Sequence, residues 1–225
     1  MISKRILKRA RILHKQVFDT LYALEGKTVR VITLKQALNK KLSRQHGVVF
    51  LHLKESHYDR IYAVGQFEYD SQESSIEILL CYSADKYHLT PEVIHDLGVQ
   101  IVQTMVHEIT HREQHKSQKR RRATLEAPVE YLSNKHEIDA YANDIAYGLF
   151  INNKEYVVGK GSKIKLDECP NLYGFHQAFS FADSELRRLT IKIYRNLVYL
   201  HSMFAKVNNK TATVALTPIK TNKLR

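Results

Sequence analysis

Residues 90–111 read TPEVIHDLGVQIVQTMVHEITH, and this stretch decides the fold. Thr90-Pro91-Glu92 is a helix start. The hydroxyl can cap, proline sits where no N–H is needed, and an acid falls in the first turn. Ile94, Leu97, Ile101 and Met105 form one apolar stripe, and Val99, Val102, Val106 and Ile109 form another. A helix that is apolar on most sides lies inside a protein. The pattern predicts a helix to about Gln118.

Set into it is the H-E-x-x-H pattern of His107, Glu108 and His111. Residues four apart share a helix face, so both imidazoles can bind one zinc ion at ~2.0–2.1 Å. Glu108 is rotated ~100° from His107, where its carboxylate can take a proton from a reacting water. The chain has 12 histidines, and a chance match is expected about 0.04 times at this composition. The other reading is a pair of hydrogen-bonded core histidines. The apolar setting favours a metal, because two imidazoles and a carboxylate are costly to bury without a strong partner.

Zinc needs a third protein ligand. His115 lies eight residues from His107, about 12 Å along an unbroken helix. It is therefore read as a surface residue or as support behind the ligands. Glu137, in the first turn of a helix opening near Ser133 or Asn134, is the leading candidate. Folding back antiparallel, that helix would set Glu137 against the two histidines. Asn134 and Glu137 also fit a capping box, which needs no metal. His136, Asp139 and Glu130 are the remaining third-ligand candidates. Asp139 and Asp144 equally fit acids that are solvated or favoured by the helix dipole.

Upstream, residues 3–24 form an amphipathic helix with Ile6, Ala10, Leu13, Val17 and Leu21 on one face, stopped by Gly26. A strand over 28–32, a helix over 34–44 ended by Gly47 and an apolar strand over 48–53 follow. Two alternating segments, 61–69 and 76–82, read as a hairpin around the polar turn 70–75. Downstream come a basic connector over 119–128, the helix to about Phe150, and a turn region to Ser162. A long helix over 182–206 follows, striped by Leu186, Leu189, Ile193, Leu197 and Leu200. The fold class is α+β. The expected divisions are 1–26, a basic amphipathic helix; 27–151, the domain with the histidine pair; 152–207, a helical part packed on it; and 208–225, a basic tail.

With 225 residues, 44% hydrophobic and 26% charged, the composition excludes a disordered or collagen-like chain. No apolar run reaches the ~18–20 residues of a membrane span. The first 20 residues lack the apolar segment of a classical secretory signal, which suits the cytoplasm or a virus particle. Cys81 and Cys169 are too few for a disulfide framework, and Cys81 reads as core. The net charge is +12, which favours polyanions such as nucleic acid. Residues 1–18 carry Lys4, Arg5, Lys8, Arg9, Arg11 and Lys15 and no acid, and Lys116 to Arg122 adds five positive charges. Each basic run is otherwise a solvated surface. No phosphate-binding glycine loop and no basic run interleaved with aromatics is present.

A hairpin, a buried H-E-x-x-H helix and a helix opening with Glu137-Ile-Asp139-Ala140-Tyr141-Ala142 together resemble the gluzincin branch of the zincin metallopeptidases. The last phrase is similar to the third-ligand helix of ImmA/IrrE-type peptidases. With Tyr131-Leu-Ser-Asn it also resembles zincin-like proteins of large tailed phages. The likeness covers about residues 28–151. It implies Zn2+ held by His107, His111 and Glu137, Glu108 as general base, and a peptide or protein substrate. It also implies that strand 76–83 is the edge that aligns an extended peptide. An oxyanion donor is implied too, for which Tyr131, Tyr173 and His176 are the candidates. Two other functions fit the residues: a virion assembly protein contacting neighbours through basic termini, and a basic protein associated with nucleic acid.

Overall fold

The computed structural model describes residues 2–54, 60–68, 75–122, 134–152 and 183–208. In chain order the elements are α1 (Lys4–Tyr22), β1 (Thr28–Arg30), α2 (Val31–His46), β2 (Val48–Lys54) and β3 (Tyr62–Glu68). They continue with β4 (Ser75–Tyr82), β5 (Lys86–His88), α3 (Pro91–Arg122), α4 (Asn134–Asn152) and α5 (Asp183–Asn208). The class is α+β, with five helices and a small mixed sheet among the described residues.

Local chemistry sets the element ends. The Ser3 hydroxyl accepts the Ile6 N–H at 3.1 Å and caps α1. Gly47 closes α2 at φ 62°, a left-handed position that favours glycine. Its carbonyl then accepts the Ile76 N–H at 3.0 Å and so starts the pairing of β2 with β4. Thr90 accepts the Val93 N–H at 3.3 Å at the head of α3.

Several boundaries differ from the pattern reading, among them the end of α3, which continues to Arg122 into the expected basic connector. The first strand is only three residues long, and α2 begins at Val31 rather than Leu34. Val31, Leu34, Leu38 and Leu42 are all buried, so one helical stripe extends back through a β-branched residue. Packing overrides its strand preference. The partner of β1 is β5, whose three residues carry no apolar alternation. Helix α1 ends at Tyr22, one turn short of Gly26.

The three-stranded sheet has the order β2-β4-β3. β3 and β4 form the expected antiparallel pair, with Tyr62 opposite Cys81 and Glu68 opposite Ser75. β2 runs parallel to β4 on its other side. The expectation that strand 76–83 is the edge is therefore wrong. β4 is the central strand, hydrogen-bonded on both sides, with Ile76, Ile78 and Leu80 fully buried. Of the two outer strands, β2 is blocked at Phe50. The Asn39 side chain of α2 accepts the Phe50 N–H at 2.7 Å and donates to its carbonyl at 2.9 Å. Among the described residues, β3 pairs on one side only.

Helix α3 is the hub. One continuous core joins α1, α2, the sheet, α3, α4 and α5 through residues such as Leu13, Leu38, Ile78, Met105, Tyr147 and Leu197. Cys81 lies in that core. Close approaches are built on glycine. Phe18 of α1 lies on Gly98, where an added Cβ would stand 2.7 Å from its ring. Gly65 of β3 lies directly on α3, where an added Cβ would stand 2.3 Å from Thr104 Cγ2 and 3.0 Å from Glu108 Oε1. Both clashes at Gly65 involve side chains held on a packed helix, so the strand must retreat to admit a methyl group. Gly65→Ala is expected to destabilise the fold by about 1–3 kcal/mol. Urea unfolding of the two proteins, with the slope unchanged, checks this.

Candidate metal centre

Helices α3 and α4 run antiparallel in a register fixed by side-chain contacts. His95 bonds Asn152 at 2.9 Å, His107 bonds Asp144 at 2.8 Å, and Asn143 donates to Thr110 at 3.1 Å. Gln114 donates to the His136 carbonyl at 3.1 Å. Gly148 lies against the Gln103 side chain. This register brings the first turn of α4 beside His107 and His111.

Three donor atoms converge there. His107 Nε2 and His111 Nε2 are 2.9 Å apart, and Glu137 Oε2 lies 3.5 Å from the first and 3.4 Å from the second. A point about 2 Å from all three fits inside a triangle of that size, matching zinc–imidazole and zinc–carboxylate distances. The group of His107, His111 and Glu137 could hold a metal ion. His136 and Asp139 do not join it. His136 meets Gln114 through its backbone carbonyl, and Asp139 pairs with Lys192 of α5. His115 is also outside the group. Glu130, Tyr131, Tyr173 and His176 lie outside the described residues.

Each histidine is held from behind. His107 Nδ1 bonds the Asp144 carboxylate at 2.8 Å, and His111 Nδ1 bonds Gln114 Oε1 at 3.1 Å. Such partners fix the tautomer and ring orientation and leave Nε2 facing the ion. Asp144 is buried, which corrects its reading as a solvated or dipole-favoured acid. A buried carboxylate needs a partner, and His107 supplies it. A signal for this was present: Asp144 lies seven residues after Glu137, two turns along one helix face. Gln114 likewise follows His111 by three residues.

Behind the site a buried polar chain ties the helices together. Thr110 donates to the Val106 carbonyl at 2.8 Å and accepts from Asn143. Asn196 of α5 donates to Asn143 Oδ1 at 2.8 Å and accepts the Ile2 N–H at 2.8 Å. Each member satisfies the next, as burial demands.

Mutual attraction dominates the charges. Burial pulls the His107 pKa down, but hydrogen bonds to Asp144 and Glu137 outweigh it and lift it to about 10. Burial pushes Glu137 up, and the two histidines reverse this and hold it at about 2. Asp144 is pushed up to about 6 by burial, with the His107 bond pulling it back. Glu108 is buried in the same region, and burial raises its pKa against the attraction of both histidines. Tyr141 packs edge-on against the His107 ring at 4.5 Å between centroids. Burial, then the charges of Asp144, Glu137 and Glu108, hold its phenol above the ordinary range.

In the metal-free protein His107 is thus protonated at neutral pH, and a metal must displace that proton. Affinity should rise with pH, by about tenfold per unit between pH 6 and 8, as one proton is released per ion bound. Titration calorimetry with zinc, in buffers of different ionisation enthalpy, measures this release. Asp144→Asn removes the carboxylate that orients the His107 ring. It should weaken zinc binding by about 10–100-fold.

The chain matches no protein-family model, no curated protein and no solved structure.

Proposed function

We propose that this protein is a zinc-dependent peptidase with a zincin-like fold. His107, His111 and Glu137 hold the ion, and Glu108 is the general base. The observation that carries the reading is the convergence of two imidazoles and one carboxylate within 3.5 Å, beside a second, buried carboxylate. Two nitrogens and one carboxylate oxygen are a donor set of catalytic zinc. When bound, zinc would lower the pKa of a water toward ~7 and polarise a carbonyl oxygen.

The chain's own residues supply the rest. Glu108, raised by burial, accepts a proton from the attacking water and hands it to the leaving amine. Asp144 and Gln114 keep the histidine rings in place through the cycle. Tyr141 stands one turn beyond Glu137 and stays protonated, so its hydroxyl is a hydrogen-bond donor for the developing oxyanion. Strand β3, not β4, is the edge along which an extended peptide would add. Gly65 brings that strand onto α3 beside Glu108.

Three variants test the assignment. His111→Ala should lose the zinc that elemental analysis finds in the parent. Glu108→Gln should keep about one zinc per chain and lose cleavage of an unfolded protein substrate by at least about 10³-fold. Equal cleavage by Glu108→Gln and the parent would reject the mechanism. Zinc without cleavage in the parent would identify a metal-bearing scaffold instead. Tyr141→Phe should keep the zinc and lower kcat by about 10²-fold with KM little changed.

A further inference from the structure

The outward face of α1 carries a straight row of cations. Lys4, Lys8, Arg11 and Lys15 are all exposed. At 100° per residue they fall within a narrow stripe opposite the buried face of Ile6, Ala10, Leu13 and Val17. The row is about 16 Å long. Asp19, exposed and paired with Lys15, is the first acid of the chain.

The row borders a second group of cations. Arg5 and Arg9 share one acid, Glu113 of α3, at 3.1 and 3.0 Å. Arg112 lies buried beside them, and Lys116 is exposed one turn further along α3. Burial and the charges of Arg9 and Arg5 lower the Arg112 pKa to about 10, and Lys116 is lowered by burial and by Arg112. The excess of positive charge is therefore felt by its own members.

We propose that the α1 stripe of Lys4, Lys8, Arg11 and Lys15, flanked by Arg5, Arg9 and Lys116, binds the phosphate backbone of duplex nucleic acid without reading sequence. A straight row of fixed charges suits a rod-shaped polyanion. Between Lys4 and Lys15 the stripe carries no aromatic side chain on which single-stranded bases could stack, and the exposed Tyr22 lies beyond Asp19. An acidic protein surface would need an apolar centre to its interface, and the stripe has none. An acidic membrane holds a helix more firmly when an apolar face also inserts, and the apolar face of α1 is spent in the core. The site lies behind the metal centre. Gly98, where α1 packs, and His107 are nine residues apart, half a rotation around α3. This inference does not depend on the proposed peptidase activity.

The test uses the full chain and a 24-base-pair duplex of arbitrary sequence, followed by fluorescence anisotropy between about 50 and 200 mM salt. The first variant changes Lys4, Lys8, Arg11 and Lys15 together to Gln. A charge-matched control changes the exposed Lys27, Arg30, Lys40 and Lys41 to Gln. The stripe variant is expected to bind at least about tenfold more weakly, with a log–log salt slope smaller by about 3. Its zinc content and thermal midpoint should match the parent's. The control should keep most of the affinity. Parental affinity and slope in the stripe variant would overturn the proposal. So would an equal loss in the control, since net charge alone would then explain binding. Competition by polyglutamate as strong as by unlabelled duplex at equal charge would overturn it in favour of an acidic protein.

Discussion

The structure turns on the cost of burying charge. Helix α3 is apolar nearly all round, yet it carries His107, Glu108, His111 and Arg112 out of water. An unpaired ion in such surroundings would unfold the helix or neutralise itself. Each of these groups is instead answered by another. His107 has Asp144 and Glu137, His111 has Gln114 and Glu137, Glu108 has the attraction of both histidines, and Arg112 has Glu113. Asp144 and Glu137 come from α4, and Glu113 in turn holds Arg5 and Arg9 of α1, so satisfying α3 dictates where those helices stand. The fold and the site are then one problem rather than two.

Positioning by charge requires short distances, and these rest on what is missing from side chains. Gly148 lets α4 approach α3 at Gln103, and Gly65 lets β3 approach at Thr104 and Glu108. A methyl group at either point would hold the elements apart, unless the neighbour moved aside. The flexible Gln103 side chain can give way, whereas Thr104 is β-branched and stiff. The sheet contact is therefore the less forgiving of the two. It is also the one that sets the distance between β3 and the buried Glu108 carboxylate.

Much of this was legible before the structure. The apolar spacing of α3, the cap at Thr90 and the stop at Gly47 are local signals, and the elements follow them. The two histidines and Glu137 were legible because four-residue spacing and an antiparallel return are geometric necessities. What escaped is non-local. Alternation marks β3 and β4 as strands but cannot say which is central, because strand order depends on how β2 returns through a crossover. β5 has too few residues to show a period. Asp144 looked solvated because α4 carries apolar residues on nearly every side, which leaves no clear polar face against which an inward acid stands out. Its two-turn spacing from Glu137 acquires meaning only once the facing helix is known.

The distribution of charge completes the argument. Glu137 and Asp144 stand on α4 against the histidines, and Glu108 lies beside β3 within the attraction of both rings. The cations of α1 gather on the opposite side of α3, where Glu113 is shared between Arg5 and Arg9. A chain of net charge +12 thus keeps Glu108 and Asp144 buried beside its histidines and sets the α1 cations in solvent, where exposed acids such as Asp19, Asp85 and Glu92 also lie. Removing positive charge from the first turns of α1 should not weaken that helix, since cations are unfavourable near a helix N-terminus. Keeping Lys4 and Arg5 in the first turn therefore runs against local helix stability, whereas Lys15 further along is paired with Asp19. A polyanion outside the chain would offset that local cost.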